Sequence, residues 1–225
     1  LGDRDMATHV RRSQALRQGR RLTEVTAELA ARLEVPARLL PMADEPVRTE
    51  IRTPDGWLEF QDYFVRRGQQ DTVLEVRRRG IEDARPTPEV LRSVAEAQLI
   101  VIAPSNPFVS VGTILALPGL LDQLLAAPAP IVAVSPVVGG KALRGPADRM
   151  LESLGGRASA GGVVEHYQKH YPGLVDTFVL DDADAQEATT IRAAGVEVDL
   201  RDTVMRTYAD RERLADEILE THLPT

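Results

Sequence analysis

The sequence has 225 residues and contains no cysteine. Disulfide bonds, thiolate nucleophiles and cysteine-based metal sites are therefore excluded. The chain also lacks an excess of positive charge, since its formal net charge is −7 and its isoelectric point is near 5.2. A general binder of nucleic acid or of a membrane surface needs a continuous excess of lysine and arginine. The composition thus argues against both classes of partner.

Long hydrophobic runs are missing as well. The longest apolar stretch, 111–121, is interrupted by Pro118 and by two glycines, whereas a membrane-spanning helix needs roughly 20 apolar residues. No basic segment followed by an apolar one, the pattern of a secretory signal, opens the chain. We therefore expect a globular protein in the cytoplasm without a membrane partner.

The histidines and arginines form patterns that favour ordinary surface roles. His166 and His170 have helical spacing but lack the glutamate that a zinc-protease helix carries after its first histidine. We interpret the pair as part of a surface helix rather than as a metal site. The arginine clusters at 11–21 and 77–79 are interpreted as solvated helix or strand faces.

Apolar runs and helical segments alternate from residue 87 onward. The runs at 99–103, 131–134, 174–180 and 196–200 are separated by helical patterns of roughly ten residues. This alternation predicts an α/β fold, with a doubly wound, mainly parallel, Rossmann-like sheet. Asp184 and Glu187 have the spacing of a capping box that opens a helix.

The region before residue 87 predicts two helices followed by short extended segments. These include 37–42 and a hairpin at 47–60 with a Pro-Asp-Gly turn. We interpret 37–85 as a small helical and β insertion or lid within a single domain that covers 1–225. Its aromatic residues could also form the surface of a homodimer: Trp57, Phe60, Tyr63 and Phe64.

The first candidate site is the glycine loop S-P-V-V-G-G-K-A-L-R-G-P at 135–146, directly after a predicted strand. Such a loop at the carboxyl end of a parallel strand can hold an anion. In this interpretation, the amides of Gly139 and Gly140 approach phosphate oxygens, and Lys141 and Arg144 neutralise the charge. The alternative, equally supported by spacing, is an ordinary strand-to-helix loop with two exposed cations.

A second polar turn, Ser105-Asn106-Pro107, follows the predicted strand 99–103. It could present a hydroxyl and an amide to a base or a phosphate, or it could be an Asn-Pro turn that satisfies its own backbone. With the two strands side by side, both turns would border one crevice for a phosphorylated ligand. The third polar segment, 2–9, also has two interpretations. Its acidic residues are favourable at a helix N-terminus, which would be a structural role. Alternatively, Arg4 could pair with or stack on a ligand.

Three segments together closely resemble the 2-phospho-L-lactate transferase family, which makes the deazaflavin coenzyme F-420 in methanogens and actinobacteria. They read G-D-R-D-M-A-T-H at 2–9, A-P-S-N-P-F-V-S-V-G at 103–112 and S-P-V-V-G-G-K-A-L-R-G-P-A-D at 135–148. Their order and spacing agree with the family, and the resemblance runs from Leu1 to near the C-terminus.

The resemblance implies a transferase that moves a phospholactyl, phosphoenolpyruvyl or related group. The donor would be a guanosine diphosphate diester, and the acceptor would be the terminal ribityl hydroxyl of the deazaflavin precursor, 7,8-didemethyl-8-hydroxy-5-deazariboflavin. GMP would leave, and Mg²⁺ would assist. Chemistry of this kind depends more on positioning and charge neutralisation than on a dedicated protein base.

The resemblance also implies roles for individual residues. Arg4 would bind the deazaflavin, and Lys141 would be catalytic. A larger set would contact the nucleotide and its phosphates: Ser105, Asn106, Pro107, Ser110, Ser135, Gly139, Gly140 and Arg144.

The family begins with a strand, a glycine-rich nucleotide loop and an aspartate that helps to hold the metal. These features, including the metal ligands, are expected upstream of Leu1. Without them we expect the isolated chain to bind Mg²⁺ and nucleotide poorly. The alternative function is a non-catalytic regulator that binds a nucleotide or nucleotide sugar on the same fold.

Overall fold

Two helices open the chain in the computed structural model, which describes residues 2–224. Helix α1 (Asp3–Arg17) packs against helix α2 (Leu22–Arg32). The carboxylate of Glu28 on α2 accepts hydrogen bonds from Arg20 and Arg11, and these bonds lower the pKa of Glu28 to about 2. Part of the N-terminal arginine cluster thus cross-links the two helices.

The segment that follows α2 corrects one expectation from the sequence. No strand forms at 37–42, and the nearest pairing is an isolated antiparallel bridge between Ala43 and Pro86. Pro36 precedes the segment and Pro41 lies within it, and proline has no N–H to donate to a strand ladder. The prediction of an extended strand at 37–42 is therefore wrong.

A three-stranded antiparallel sheet comes next, in the order β2-β1-β3. Its strands are β1 (Arg48–Thr53), β2 (Gly56–Glu59) and β3 (Glu75–Arg79). The hairpin predicted at 47–60 is confirmed, with Gly56 at φ +117° in its turn. The helical turn Asp62–Arg66 between β2 and β3 buries Tyr63.

The remaining chain alternates helices with strands. In chain order the elements are α3 (Pro88–Ala95), β4 (Ile100–Ile102), α4 (Gly112–Leu115), α5 (Leu120–Leu125), β5 (Ile131–Val134), β6 (Val137–Val138), β7 (Lys141–Ala142), α6 (Ala147–Ser153), α7 (Ala160–His170), β8 (Thr177–Asp181), α8 (Ala185–Ala193), β9 (Glu197–Arg201) and α9 (Tyr208–His222). Strands β4, β5, β8 and β9 form one sheet in that order, and every neighbouring pair is parallel. No helix within 2–224 is long and apolar enough to cross a bilayer.

Helices cover both faces of the four-stranded sheet. Every residue of β5 is buried, as expected for a strand between two helical layers. Ile131 and Ala133 pack into the core that contains α7 and α8, whereas Val132 and Val134 pack against α9. The predicted α/β fold with a mainly parallel sheet is confirmed.

The three-stranded sheet packs on the larger unit through its own apolar cluster. Ile51, Tyr63 and Val73 contact Met150 of α6, and Phe108 lies at the edge of the same cluster. The sheet occupies the region predicted as an insertion, 37–85, and its action as a lid stays a prediction.

The predicted capping box at the start of α8 is wrong, because both carboxylates bind elsewhere. Asp184 accepts a hydrogen bond from the amide of Gly139, at 3.0 Å. Glu187 accepts bonds from the hydroxyl of Ser159 and the amide of Gly161, both at 2.8 Å. The capping-box spacing is present, but contacts with distant segments satisfy the carboxylates instead.

Asp181, the last residue of β8, fixes the segment that follows β9. Its carboxylate accepts hydrogen bonds from both the amide and the hydroxyl of Thr203, each at 2.9 Å. The other oxygen accepts from the amide of Ala183 at 3.0 Å. Asp181 is only 6% exposed, so removing its carboxylate leaves buried donors without partners.

We predict that Asp181→Ala lowers the free energy of unfolding by about 2 kcal/mol, since a buried, unsatisfied donor costs about 1 to 3 kcal/mol. Urea denaturation of the variant and the wild type measures the difference. Asp182→Ala, at the exposed neighbouring position, is the matched control and should have little effect. Equal losses in the two variants would contradict the assigned role of Asp181.

Candidate functional site

A cavity of about 680 Å³ lies where three strands of the parallel sheet end. Ser105 follows β4, Ser135 follows β5, and Thr203 follows β9; all three line the cavity. Open α/β sheets bind ligands at the carboxyl ends of their strands. We call this cavity the edge cavity.

The edge cavity brings together part of the predicted nucleotide site. The predicted residues that line it are Ser105, Asn106, Ser110, Ser135 and Arg144. Pro107, Gly139, Gly140 and Lys141 are not among its lining residues. Arg4 lies elsewhere, in a groove between α1 and α2.

The charged side chains lining the edge cavity, within 2–224, are Arg144 and Arg211. Neither guanidinium has a carboxylate within 4.0 Å in the described part of the chain. Their positive charge is therefore uncompensated in a protein whose net charge is −7. A concave surface of this kind attracts anions.

Asn106 shapes the turn after β4 and still has a donor to offer. Its side-chain oxygen accepts hydrogen bonds from the amides of Phe108 and Val109, at 2.8 and 3.1 Å. Its Nδ2 atom lies 3.3 Å from the sulfur of Met150. The amide nitrogen carries two N–H groups and sulfur is a weak acceptor, so at least one N–H remains available to a ligand.

Ser135 has a structural role at the end of β5. Its hydroxyl donates to the carbonyl of Val137 at 2.9 Å and accepts from the amide of Val137 at 3.2 Å. The residue is 2% exposed. Ser135 therefore contributes to the edge cavity by holding the turn. Its hydroxyl oxygen has one lone pair that accepts no hydrogen bond from the described residues.

The glycine loop differs from the phosphate cradle expected from the sequence. Gly139 and Gly140 form the turn of the β6–β7 hairpin, and both have positive φ, +56° and +77°, as such two-residue turns require. The Gly139 amide donates to both oxygens of Asp184, at 3.0 and 3.2 Å. Because this amide is already bonded, it is not free for a phosphate oxygen, contrary to the cradle interpretation.

Asp184 is a buried acid, only 4% exposed. Burial raises its pKa above the usual value, while the hydrogen bond from Gly139 acts in the opposite direction. The ionised carboxylate therefore costs stability at neutral pH even as it holds the hairpin.

Sequence reasoning missed several residues of the edge cavity. Phe60 and Phe64, which it placed on a dimer surface or lid, line the cavity, with ring centroids 5.4 Å apart. Arg211 of α9 also lines it and lies over the Tyr208 ring at 4.9 Å. The position of α9 directly after the last predicted strand was the available signal for Arg211.

Residues 2–224 contain no group of three or more histidine and acidic side chains that could hold a metal ion. Among the described residues that line the edge cavity there is no carboxylate that could serve as a Mg²⁺ ligand. The predicted metal ligands, upstream of Leu1, lie outside the described residues.

Comparisons with known proteins agree on a family. Residues 1–220 match the family model described as 2-phospho-L-lactate transferase CofD. A phosphoenolpyruvate transferase of Kitasatospora aureofaciens is 42% identical over 200 residues, which cover 87% of this chain and 61% of that protein. A 2-phospho-L-lactate transferase of Methanosarcina mazei is 37% identical, with 98% of this chain and 71% of that protein covered. The chain thus spans about three fifths of the length of the actinobacterial relatives.

Solved structures give the same architecture at low sequence identity. A crystal structure of a UPF0052 family protein from Bacillus halodurans has a TM-score of 0.64 and 17% identity. The match covers 90% of this chain and 68% of that one. At this identity the similarity supports the fold alone.

We predict that Asp184→Asn raises the free energy of unfolding at pH 7, because asparagine still accepts from the Gly139 amide without a buried charge. The folded-state pKa of Asp184 lies above its unfolded value, so its stabilising contribution is complete at low pH and is lost as pH rises through the folded pKa. Urea denaturation from pH 3 to 7 measures the difference, which should vanish at pH 3. A wild type that is more stable than the variant at pH 7 would contradict this account.

Proposed function

Because the chain belongs to the 2-phospho-L-lactate transferase CofD family, we propose that it is a transferase of coenzyme F-420 biosynthesis. It would move a phospholactyl, phosphoenolpyruvyl or related group from a guanosine diphosphate diester to the ribityl hydroxyl of the deazaflavin precursor. The observation that supports this assignment best is the edge cavity, with two unpaired arginines and no lining acid among residues 2–224.

The edge cavity suits a nucleotide donor in size and in chemistry. Its volume of about 680 Å³ lies within the range of about 300 to 1,000 Å³ for small-molecule sites. Arg144 and Arg211 would pair with the diphosphate oxygens, since guanidinium groups bind phosphate through two parallel hydrogen bonds. Ser105 and Ser110 would offer hydroxyl donors, and the rings of Phe60 and Phe64 would offer faces for stacking.

The proposed reaction is a displacement at phosphorus. The ribityl hydroxyl forms a new P–O bond to the phosphoryl group that carries the three-carbon acid, and the anhydride bond to GMP breaks. The hydroxyl proton leaves to solvent, and GMP departs with the bridging oxygen. Arg144 and Arg211 would stabilise the charge that develops on the departing phosphate, which is the main demand of phosphoryl transfer.

Mg²⁺ remains an expected cofactor, and it would supply further charge neutralisation. Since residues 2–224 lack a cluster of ligands for it, no step of this mechanism is assigned to the ion. Lys141 remains the proposed catalytic cation; it lies exposed on β7, in the same loop as Arg144.

The deazaflavin acceptor is assigned to a different part of the protein from the donor nucleotide. Arg4 is exposed near the start of α1 and lines the groove beside α2, away from the residues of the edge cavity. We propose that Arg4 binds the deazaflavin, as its place in the motif at 2–9 suggests. The proposed location is the cytoplasm, and a homodimer is compatible with this assignment.

We predict that Arg144→Gln and Arg211→Gln each lower the transfer rate by about 10- to 100-fold, because a hydrogen bond to a charged group contributes about 1.5 to 3 kcal/mol. The assay follows the fluorescent deazaflavin product formed from a guanosine diphosphate diester by the full-length protein. Arg92→Gln, an exposed cation in the last turn of α3, is the matched control. Unchanged rates in both variants would exclude the edge cavity as the donor site, and GDP binding without any transfer would favour the regulatory alternative.

A further inference from the structure

A second cavity, of about 450 Å³, lies on the other side of the turn 107–111 from the edge cavity. Strand β3 and helices α6 and α7 form its walls. The residues that matter for its chemistry are Arg78, Phe108, His166, Lys169 and Tyr171. None of them lines the edge cavity. We call it the histidine cavity.

Arg78 carries an uncompensated charge into the histidine cavity. It is partly buried, and its guanidinium donates to the carbonyl of Phe108 at 2.6 Å and to the hydroxyl of Thr113 at 3.3 Å. Both acceptors are neutral, and in the described chain no carboxylate lies within 4.0 Å of Arg78. Burial lowers its pKa. A charge in this position gains from an anionic partner.

The Tyr171 hydroxyl lies near this guanidinium. A Cβ atom placed on Gly112 would be 2.9 Å from Nη2 of Arg78 and 3.3 Å from the Tyr171 hydroxyl. Glycine at this position therefore leaves room for these two polar groups to lie close together, and both residues line the cavity. Both belong to elements far apart in sequence, β3 and the end of α7.

His166 brings an unsatisfied nitrogen to the same cavity. Its Nε2 atom is buried and has no hydrogen-bond partner among the described residues. The ring packs on Phe108 and His170, with centroids 4.5 and 4.7 Å apart. Burial, then the nearby His170 and Lys169, lower the pKa of His166 to about 4. A neutral imidazole with a buried, unpaired nitrogen is costly unless a ligand satisfies it.

The acids at the rim of the cavity do not neutralise its cations. Glu75 pairs with Arg52 at 3.2 Å, and Glu165 pairs with Arg157. Lys169, in the last turn of α7, has no carboxylate within 4.0 Å in the part of the chain that the structure describes. Counted over residues 2–224, the cavity therefore has two unpaired cations and one unsatisfied imidazole nitrogen. This chemistry favours an anion over a cation.

We propose that the histidine cavity binds a small organic oxyanion, a carboxylate or a phosphate monoester. Arg78, His166 and Lys169 donate to its oxygens, and its carbon skeleton packs on the rings of Phe108 and Tyr171. The site is independent of the proposed transferase reaction. Because Phe108 belongs to the turn whose other side lines the edge cavity, an occupant contacts the wall between the two cavities.

Two probes test the proposal by calorimetry on the full-length protein at pH 7.5: phenyl phosphate and benzoate. Phenyl phosphate represents the phosphate source of the oxyanion, and benzoate the carboxylate source. We expect saturable binding of at least one probe, and the tighter of the two identifies the ligand class. Imidazole NMR signals of His166, assigned by their loss in His166→Phe, should shift on binding.

The variants are chosen to keep the fold intact. Lys169→Gln removes an exposed cation and should weaken binding by about 10-fold, the effect of one charge-assisted hydrogen bond. His166→Phe keeps an aromatic ring against Phe108 but removes the donor, so it should weaken binding as well. Arg92→Gln, which removes a cation from the last turn of α3, is the matched control. Arg78→Gln is a poorer test, since Arg78 also braces the turn 107–111.

Three outcomes would overturn the proposal. The first is no saturable binding of either probe to the wild type. The second is wild-type affinity in both Lys169→Gln and His166→Phe. The third is displacement of the probe by GDP together with weaker binding in Arg144→Gln, which would place the probe in the edge cavity. Retained probe binding in a variant without transferase activity would leave the proposal standing.

Discussion

The burial of strand β5 on both faces is the constraint on which the candidate site depends. Ile131, Val132, Ala133 and Val134 are all at most 4% exposed, and burying one large aliphatic side chain contributes about 1.5 to 3 kcal/mol. This burial fixes β5 between β4 and β8, so the turns after β4 and β5 are forced to the same edge of the sheet. The edge cavity follows from that juxtaposition and not from any one loop.

Buried carboxylates then fix the loops around this edge. Asp181 holds the segment after β9 through Thr203, and Asp184 holds the glycine hairpin through the amide of Gly139. The hairpin thus has a defined conformation before any ligand binds. Its Gly139 amide is bonded to Asp184 and is therefore not available to a ligand. The proposed anion binding therefore rests on the side chains of Arg144 and Arg211, which have no acidic partners among residues 2–224.

The sheet could be predicted well from the sequence because each of its strands is recognisable from a short apolar run. Runs such as 131–134 are apolar along their whole length, and parallel strands with helices between them must end at a common edge. The contacts of Asp184 and Glu187 could not be predicted, since their partners lie at least 26 residues away and a local capping box had the same spacing. Arg211, Phe60 and Phe64 were missed for the same reason: they reach the edge cavity from α9 and from the helical segment that follows β2.

An NMR titration of the isotopically labelled protein with GDP shows most directly whether the edge cavity is the nucleotide site. If the edge cavity holds the donor nucleotide, the largest amide shifts fall on Ser105, Ser110, Arg144 and the start of α9, and His166 is unchanged. Weak affinity does not weaken this test, because the shifts report the location of binding. Shifts concentrated between α1 and α2, or around His166, would exclude the edge cavity as the donor site.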